Sequence, residues 1–361
     1  MNTLRRMGIS VVMAGGLLLV TASPAAAHTV SGQGATNYRS TLSGISPELP
    51  GLAAKVVNLG SDLEVTWTGS SELTVFGYQG EPYLRLGPDG VFRNRLSPAT
   101  YLNATRSLGA IPPYADANAA PDWVKISSGH SAVWHDHRIH WMGGPTPAPV
   151  AAAPGSFHHV VTWTLKMTAG TTPVVVTGSL DWVPGSSALP WVGLIVVLTA
   201  VGVIAGASRR WAEALLVLVA VIVAADVVHA VGTGLFASGS MTHKLLVTFS
   251  GSYYSVVAWV LGAVGIRLLA RKSVDGLFAA VFTGLVIGLF GGLADIVALS
   301  RSQVPFQWGV TAAQILITVS IGVAAGVVVG SIVAFRFNRP LPAAEPGSPP
   351  DAEFGAAGAG D

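Results

Sequence analysis

The sequence predicts an all-β sandwich domain followed by a bundle of five transmembrane helices, and three observations support this fold class. Hydrophobic residues make up 51% of the 361 residues and charged residues only 11%, which excludes an ordinary soluble protein. Five apolar runs, each of about 20 residues or more, are confined to the C-terminal half. Short runs with alternating apolar residues, separated by turn signals, fill much of the region before them.

The first 27 residues predict a signal peptide. Arg5 and Arg6 form its charged start, Gly8–Val20 its apolar stretch, and Ala25–Ala27 a cleavage site of small residues. Cleavage there makes His28 the N-terminus, where the α-amine and the imidazole together could chelate Cu(II). The alternative is an N-terminal tail in which this histidine has no role. The sequence has no cysteine, so the exported domain must be stabilised by its core rather than by disulfides.

Residues 28–188 are predicted to form the extracytoplasmic β domain. Its strand candidates are Lys55–Leu59, Leu63–Trp67, Leu73–Tyr78, Tyr83–Leu86, Ala132–Trp141, His159–Met167 and Val174–Trp182. Pro88-Asp89-Gly90 is typical of a turn, because proline presets φ and glycine accepts a positive φ. About seven short strands in ~130 residues predict an antiparallel sandwich of immunoglobulin-like or cupredoxin-like build.

Residues 189–336 are predicted to form the membrane bundle. Its five apolar runs are Leu189–Ala207, Ala212–Phe236, Leu245–Leu268, Leu277–Leu299 and Trp308–Ala334. Basic residues crowd one set of links and helix ends, at Arg209, Arg210, Arg267, Arg271, Lys272, Arg336 and Arg339, whereas the other links hold Lys244 and Arg301. The positive-inside rule makes the crowded side cytoplasmic, which places the β domain outside the cell membrane. Residues 337–361 then form a cytoplasmic tail whose composition predicts disorder.

The histidines give the strongest functional signal. Four of the nine fall within eleven residues, at His130, His135, His137 and His140, and imidazole is the commonest protein metal ligand. On a strand spanning Ala132–Trp141, alternate side chains share a face, so His135 and His137 point the same way. His140 could join them only if the strand ends or bulges near Ile139. The other donors available to this candidate metal site are His28, His130, His158 and His159.

Copper is the expected ion at this site, with zinc as an alternative, because no thiol is available and imidazole suits both metals. The competing interpretation is that Asp136 and Arg138 form a surface ion pair while the histidines pack beside tryptophans without a metal. A second dense segment, Gly77–Arg85, could contact a ligand, but a tight hairpin turn with tyrosine packing explains it and is favoured.

Ionisable and polar residues in the apolar runs are a further candidate site, because such groups are costly inside a membrane. They are Asp226, His229, His243, Asp295 and Gln314, all toward the extracytoplasmic side of the predicted topology. They could form one polar cluster facing the β domain, or an interhelical hydrogen-bond network without a transport role. A haem between His229 and His243 is disfavoured, because the two residues lie at different depths in the membrane.

No catalytic motif stands out, since the sequence has no Gly-x-Ser-x-Gly elbow, no phosphate-binding loop and no His-Glu-x-x-His. We therefore expect a protein that is not an enzyme. The net charge of +2, without a basic stripe, also speaks against a nucleic-acid partner. The expected partners are a metal ion and the lipid bilayer, and the sequence does not identify a protein partner.

The layout resembles that of the bacterial copper-resistance proteins, in which a periplasmic copper-binding sandwich works with a multi-pass membrane partner. The likeness depends on His28 after three alanines and on His229 and His243 in the membrane region. The segment Trp134–Met142 has no counterpart in that family, whose C-terminal histidine motif is not evident here. The composition and this segment also resemble uncharacterised membrane-anchored proteins of high-GC Gram-positive bacteria.

These observations together predict an extracytoplasmic metal-binding protein, anchored in the cell membrane by five helices, that handles copper. The alternative is a structural or interaction protein of the cell envelope that binds no metal. In that alternative the histidines pack or form hydrogen bonds, and Asp226 and Asp295 hold the helix bundle together.

Overall fold

A computed structural model of the chain describes residues 34–106 and 109–337. The predicted signal peptide, His28 and the predicted tail from residue 338 onward lie outside the described residues.

The N-terminal part of the described chain is a β domain of ten strands in two sheets, and all strand pairs are antiparallel. The strands are β1 (Tyr38–Ser46), β2 (Leu52–Val57), β3 (Asp62–Trp67), β4 (Leu73–Phe76), β5 (Pro82–Gly87), β6 (Gly90–Asn94), β7 (Trp123–Ser127), β8 (Ser131–His135), β9 (His158–Ala169) and β10 (Thr172–Trp182). The larger sheet has the order β1-β10-β9-β4-β5-β6-β7, and the smaller has the order β2-β3-β8. Two short helices, α1 (Pro98–Leu102) and α2 (Ala148–Ala152), lie in the connections.

The two sheets share one hydrophobic core, so the predicted all-β domain is confirmed as a two-sheet, sandwich-like arrangement. In β3 the apolar residues Leu63, Val65 and Trp67 are buried and alternate with half-exposed polar residues, as a strand with one buried face requires. They belong to the same buried cluster as Leu73 and Val75 of the larger sheet. Burial of such side chains supplies about 1.5–3 kcal/mol each, which is the main source of stability for a domain without disulfides.

Several predicted strand limits are wrong. The strand predicted at Ala132–Trp141 ends at His135, and the following residues form a turn. Strands β1, β6 and β7 were not predicted. β1 is rich in Ser and Thr, and it pairs along the edge of the larger sheet, so it lacks the alternation of a half-buried strand.

The C-terminal part is helical, and five of its helices are long and apolar enough to cross a membrane. The helices are α3 (Leu189–Ala207), α4 (Trp211–Phe236), α5 (Met241–Gly251), α6 (Tyr253–Ala270), α7 (Asp275–Val286) and α8 (Val310–Phe337). A π-helical turn (Ile287–Gly292) and a 3-10 helix (Leu293–Ser300) extend α7, and together they form the fourth spanning segment.

Two of the predicted spans differ from continuous α-helices. The predicted third helix, Leu245–Leu268, is broken at Ser252, which follows Gly251, and only α6 beyond it is long enough to span the membrane. Gly/Ser pairs are common sites of helix breaks. The fourth segment leaves α-helical geometry at Ile287, where three glycines follow within five residues.

Small residues bring the first and last spanning helices into close contact. A Cβ at Gly202 of α3 would lie 2.3 Å from the carbonyl carbon of Gly326 in α8, and one at Gly206 would lie 2.0 Å from the oxygen of Gly330. Contacts between backbones at this distance need glycine on both helices, as in other membrane helix pairs. The two helices therefore run side by side in the same direction.

The β domain packs against one end of the bundle. Thr36 and Gln303 exchange two backbone hydrogen bonds of 2.9 Å, and the hydroxyl of Ser238 donates to Asn58 at 2.9 Å. At the other end, Lys272 pairs with Glu213 at 3.0 Å. The basic links thus lie at the end of the bundle away from the β domain.

Candidate metal centre

Three histidines meet where β8 ends. His135 is the last residue of this strand and is paired in register with Asp62 of β3. The chain then turns, and the backbone N–H of Ile139 donates to the carbonyl of Asp136 at 3.3 Å. The turn brings His137 and His140 back toward His135, a position that an extended strand would not give them.

Asp136 causes this turn. Its carboxylate is fully buried, and its Oδ1 accepts from the backbone N–H of Arg138 at 3.0 Å, which is the bond of an Asx turn. The guanidinium of Arg138 donates to both carboxylate oxygens, at 2.8 and 2.7 Å, and the indole of Trp134 donates at 2.9 Å. Burial opposes ionisation of Asp136, but the Arg138 guanidinium and Trp134 hold the pKa of this carboxyl below its usual range. The ion pair considered in the sequence is therefore buried, not at the surface.

Arg138 and Tyr78 fasten the turn to the β4–β5 hairpin. Arg138 donates to the carbonyl of Phe76 at 3.2 Å, and its guanidinium lies 4.8 Å from the ring centre of Tyr78. The Tyr78 hydroxyl donates to Asn103 and accepts from the backbone N–H of His137 at 3.0 Å. Burial raises the pKa of Tyr78, so its hydroxyl stays protonated and can make both bonds. The segment Gly77–Arg85 holds the turn of this hairpin and the start of β5, as favoured from the sequence, and it also supports the candidate site.

The three imidazoles form one compact group. The ring centres lie 4.7 Å apart for His135 and His137, 4.6 Å for His135 and His140, and 5.3 Å for His137 and His140. One nitrogen from each ring lies within 4.8 Å of the others, close enough for all three to reach a single metal ion. His137 is buried and the other two are half-buried, so the group is largely shielded from solvent.

His135 is oriented by a carboxylate. Its Nδ1 lies 3.1 Å from Oδ1 of Asp62, which can only accept, so Nδ1 carries a proton and Nε2 is the nitrogen that faces His140. Asp62 is fixed in turn by Ser61, which donates at 2.8 Å, and by Asn58, which donates at 2.5 Å. Burial raises the pKa of Asp62, but these bonds and the one from His135 outweigh it and lower the pKa. Histidine ligands in metal sites commonly have such a carboxylate partner.

His137 is oriented by a backbone carbonyl. Its Nε2 lies 2.7 Å from the carbonyl oxygen of Leu102 at the end of α1, so Nε2 donates the proton and Nδ1 keeps its lone pair. That Nδ1 lies 3.0 Å from the sulfur of Met142. Burial, together with the neighbouring His135, lowers the pKa of His137 and favours the neutral, ligand-competent form.

His140 completes the group. Its Nε2 faces Nε2 of His135 at 2.9 Å, and its Nδ1 lies 3.4 Å from the carbonyl oxygen of Trp141. Burial and the neighbouring His135 lower the pKa of His140 to about 4, so the ring is neutral at physiological pH. A neutral imidazole has one N–H, so either an N–H shared between the two Nε2 atoms or a metal ion bound by both accounts for their 2.9 Å separation. A metal ion between the two Nε2 atoms would satisfy both lone pairs.

The remaining histidines of the β domain have other surroundings. His130 is exposed, and His158 contacts the carbonyl of Ala153 at 2.8 Å. His159 pairs with Asp181 at 2.9 Å on the strands β9 and β10. These residues, named as donors from the sequence, are not members of the three-histidine group, and His28 lies outside the described residues.

The polar residues of the membrane region are divided among several contacts. His229 is buried 3.8 Å from Asp295 and stacks on Phe306, whereas Asp226 accepts from the indole of Trp259 at 2.7 Å. Gln314 donates to the carbonyl of Ala298 at 3.1 Å, at the end of the 3-10 helix. His243 is exposed on α5. His229 and Asp295 thus face each other, whereas Asp226 and Gln314 contact other groups and His243 is at the surface.

Sequence reasoning missed three groups at this site: the Asp62 carboxylate, the Leu102 carbonyl and the Met142 sulfur. Met142 follows His140 by two residues at the end of the histidine-rich segment, and this spacing is a signal that could have indicated it. Asp62 and Leu102 come from distant positions, so only the fold brings them to the histidines.

Comparison of the chain with protein-family models, with curated proteins and with solved structures finds no match.

Proposed function

We propose that the chain is a membrane-anchored protein that binds and handles copper through His135, His137 and His140 on the extracytoplasmic side. One observation carries this proposal: three imidazoles converge, and one nitrogen of each ring lies within 4.8 Å of the nitrogens of the other two. Two of the three rings are already oriented by Asp62 and by the Leu102 carbonyl, in the manner of metal ligands.

The separation of the nitrogens supports a shared ion. Two nitrogens bound to one ion at about 2.05 Å lie about 2.9 Å apart at a right angle and about 3.3 Å apart at the tetrahedral angle. The Nε2 atoms of His135 and His140 lie 2.9 Å apart, at the short end of this range. Copper is the preferred candidate because, among divalent first-row metals, nitrogen sites bind it most tightly. Zinc is the alternative ion that the same ligands accept.

The position of the site supports an extracytoplasmic role. The basic links lie at the end of the bundle away from the β domain, and the positive-inside rule makes that end cytoplasmic. In this orientation the site faces the outside of the membrane, in agreement with the predicted signal peptide. The two-sheet core is the kind of rigid support that an immunoglobulin-like or cupredoxin-like sandwich would give the ligands.

The test uses the full-length protein in detergent after removal of metal with a chelator. We expect about one equivalent of copper to bind and to raise the melting temperature, because a ligand at 100 times its Kd adds about 2.7 kcal/mol to native-state stability. The variant His135→Ala/His137→Ala should lose most of the affinity and the thermal shift. The matched control is His130→Ala/His243→Ala, which removes two exposed histidines and should keep both.

Unchanged copper affinity in the His135→Ala/His137→Ala variant would overturn the assignment of the site. A wild-type protein that binds neither copper nor zinc, with a constant melting temperature, would overturn the metal function as a whole. That result would favour the alternative of a structural or interaction protein, in which the histidines serve only packing and hydrogen bonding.

A further inference from the structure

We propose that Met142 is the fourth ligand of the three-histidine site and makes it selective for Cu(I), an inference that rests on the proposed copper function. The sulfur of Met142 lies 3.0 Å from Nδ1 of His137. This contact adds a second type of donor to the site.

The contact between Met142 and His137 lacks a proton. The Nε2–H of His137 is used by the Leu102 carbonyl at 2.7 Å, so Nδ1 presents a lone pair to the sulfur, which also has only lone pairs. The other tautomer would place the Nε2 lone pair against the carbonyl oxygen, which is less favourable. Two electron-pair donors at this distance are best reconciled by a cation that both of them bind.

The distance agrees with shared coordination. A nitrogen at about 2.05 Å and a sulfur at about 2.3 Å from one ion lie about 3.1 Å apart at a right angle and about 3.6 Å apart at the tetrahedral angle. The observed 3.0 Å is close to the lower value. Met142 is 38% exposed and has a flexible side chain, so it can move by a few tenths of an ångström to admit the ion.

Neighbouring residues hold Met142 beside the histidines. The indole of Trp141 donates to the carbonyl of Pro145 at 3.2 Å, and its ring stacks on Tyr38 with 6.3 Å between ring centres. A Cβ at Gly143 would lie 2.3 Å from the Trp141 ring, so only glycine fits at position 143 beside this ring. The residues on both sides of Met142 are thereby fixed in place.

The ligand type decides the oxidation state. Thioether sulfur is a soft ligand that selects Cu(I), whereas imidazole binds Cu(I), Cu(II) and zinc. Three imidazoles with one thioether therefore favour reduced copper more than three imidazoles alone would. Loss of the sulfur should weaken Cu(I) binding and leave Cu(II) and zinc binding nearly unchanged.

The experiment compares Met142→Leu with wild type in the full-length protein, under anaerobic conditions with a reductant. Cu(I) affinity is measured by competition with a chromogenic Cu(I) chelator, and Cu(II) affinity separately without reductant. We expect Cu(I) affinity to fall about 10- to 100-fold, as for loss of a contributing group in other metal sites, and Cu(II) affinity to stay within about threefold. Met241→Leu, at an exposed methionine of α5, is the matched control and should change neither value.

X-ray absorption at the copper edge gives a second readout that does not depend on affinity. The Cu(I)-loaded wild type should show one sulfur neighbour at about 2.3 Å, and Met142→Leu should show none. Copper that binds through the histidines with no sulfur neighbour and with unchanged Cu(I) affinity in Met142→Leu would overturn this inference alone. Absence of copper binding in the wild type would instead overturn the proposed function.

Discussion

The histidines of the β8 turn and the histidine of the membrane bundle differ in what faces them. In the turn, His135, His137 and His140 face one another, with a carboxylate beside His135 and a sulfur atom beside His137. In the bundle, the buried His229 faces the carboxylate of Asp295 and the ring of Phe306. Both sets are largely removed from water, so burial alone does not separate them.

This difference shows why burial of a histidine is weak evidence for a metal site. A carboxylate satisfies an imidazole by accepting its proton or by pairing with its charge, so His229 needs no further partner to be stable. Imidazoles that face one another can share an N–H in a hydrogen bond or bind one cation together, and a single imidazole beside a carboxylate does not offer the second choice. The convergence of three imidazoles therefore distinguishes the turn from the bundle.

The largest expected effect tests this distinction by removing one histidine from each region. His140→Ala should lower copper affinity about 100- to 1,000-fold, because the ~10–16 kcal/mol of a structural metal site is divided among about four ligands. His229→Ala should leave copper affinity within about twofold. Isothermal titration of the full-length variants with copper measures both, and equal losses in the two variants would contradict the comparison.

The second prediction concerns the buried ion pair that shapes the turn. Asp136→Asn keeps the size of the side chain but leaves the Arg138 charge without its partner, which should cost about 3 kcal/mol. The free energy of unfolding of the β domain, followed by tryptophan fluorescence, measures the loss. The control is Asp122→Asn in the exposed pair with Arg95, where we expect about 0.5 kcal/mol or less. A stable Asp136→Asn variant would show that the pair does not hold the turn.

Much of the fold follows from sequence patterns, because spans and strands depend on local periodicity. The limits of α3 agree with the predicted run Leu189–Ala207, and the alternation in β3 is observed as predicted. The breaks at Ser252 and Ile287 coincide with Gly251 and with three nearby glycines, which a search for long apolar runs does not detect.

The site itself could be predicted only in part. The sequence indicated His135 and His137 as a pair, but it placed them on a strand that was too long, and His140 depended on where that strand ended. The missing information was the Asx turn of Asp136, a residue type that is depleted in strands and common in turns. The support from Asp62, Tyr78 and Leu102 depends on tertiary contacts between distant segments.

The third prediction concerns the metal-free protein as the pH falls. The unfolded chain takes up a proton on His140 near pH 6.5, whereas the folded chain does so only near pH 4, so acid favours unfolding between these values. After allowance for partial exposure to solvent, the low pKa of His140 in the folded chain should lower the free energy of unfolding by about 2 kcal/mol between pH 7 and pH 4. The free energy of unfolding, measured from denaturation curves between pH 7 and 4.5, should fall less steeply with pH for His140→Gln than for wild type. An equal fall in the two proteins would contradict the low pKa of His140.

The fourth prediction concerns the carboxylate behind His135. Asp62→Asn keeps an oxygen that accepts from Nδ1 of His135 but removes the negative charge that makes the imidazole a better ligand. Copper affinity should fall about tenfold, and the melting temperature without metal should change little. Unchanged copper affinity in a folded Asp62→Asn variant would show that the carboxylate only positions the ring.

The smallest expected effect comes from replacing an aspartate of the membrane bundle, Asp295, by asparagine. Asp295→Asn removes the charge that faces His229 at 3.8 Å, and polar contacts between membrane helices contribute about 0.6 kcal/mol on average. Thermal unfolding in detergent should show a loss of that order, and copper affinity should stay within about twofold of wild type. A tenfold loss of copper affinity, equal to that expected for Asp62→Asn, would mean that the bundle and the turn act as one site. A loss of stability alone would support His229 and Asp295 as a pair that stabilises the helices.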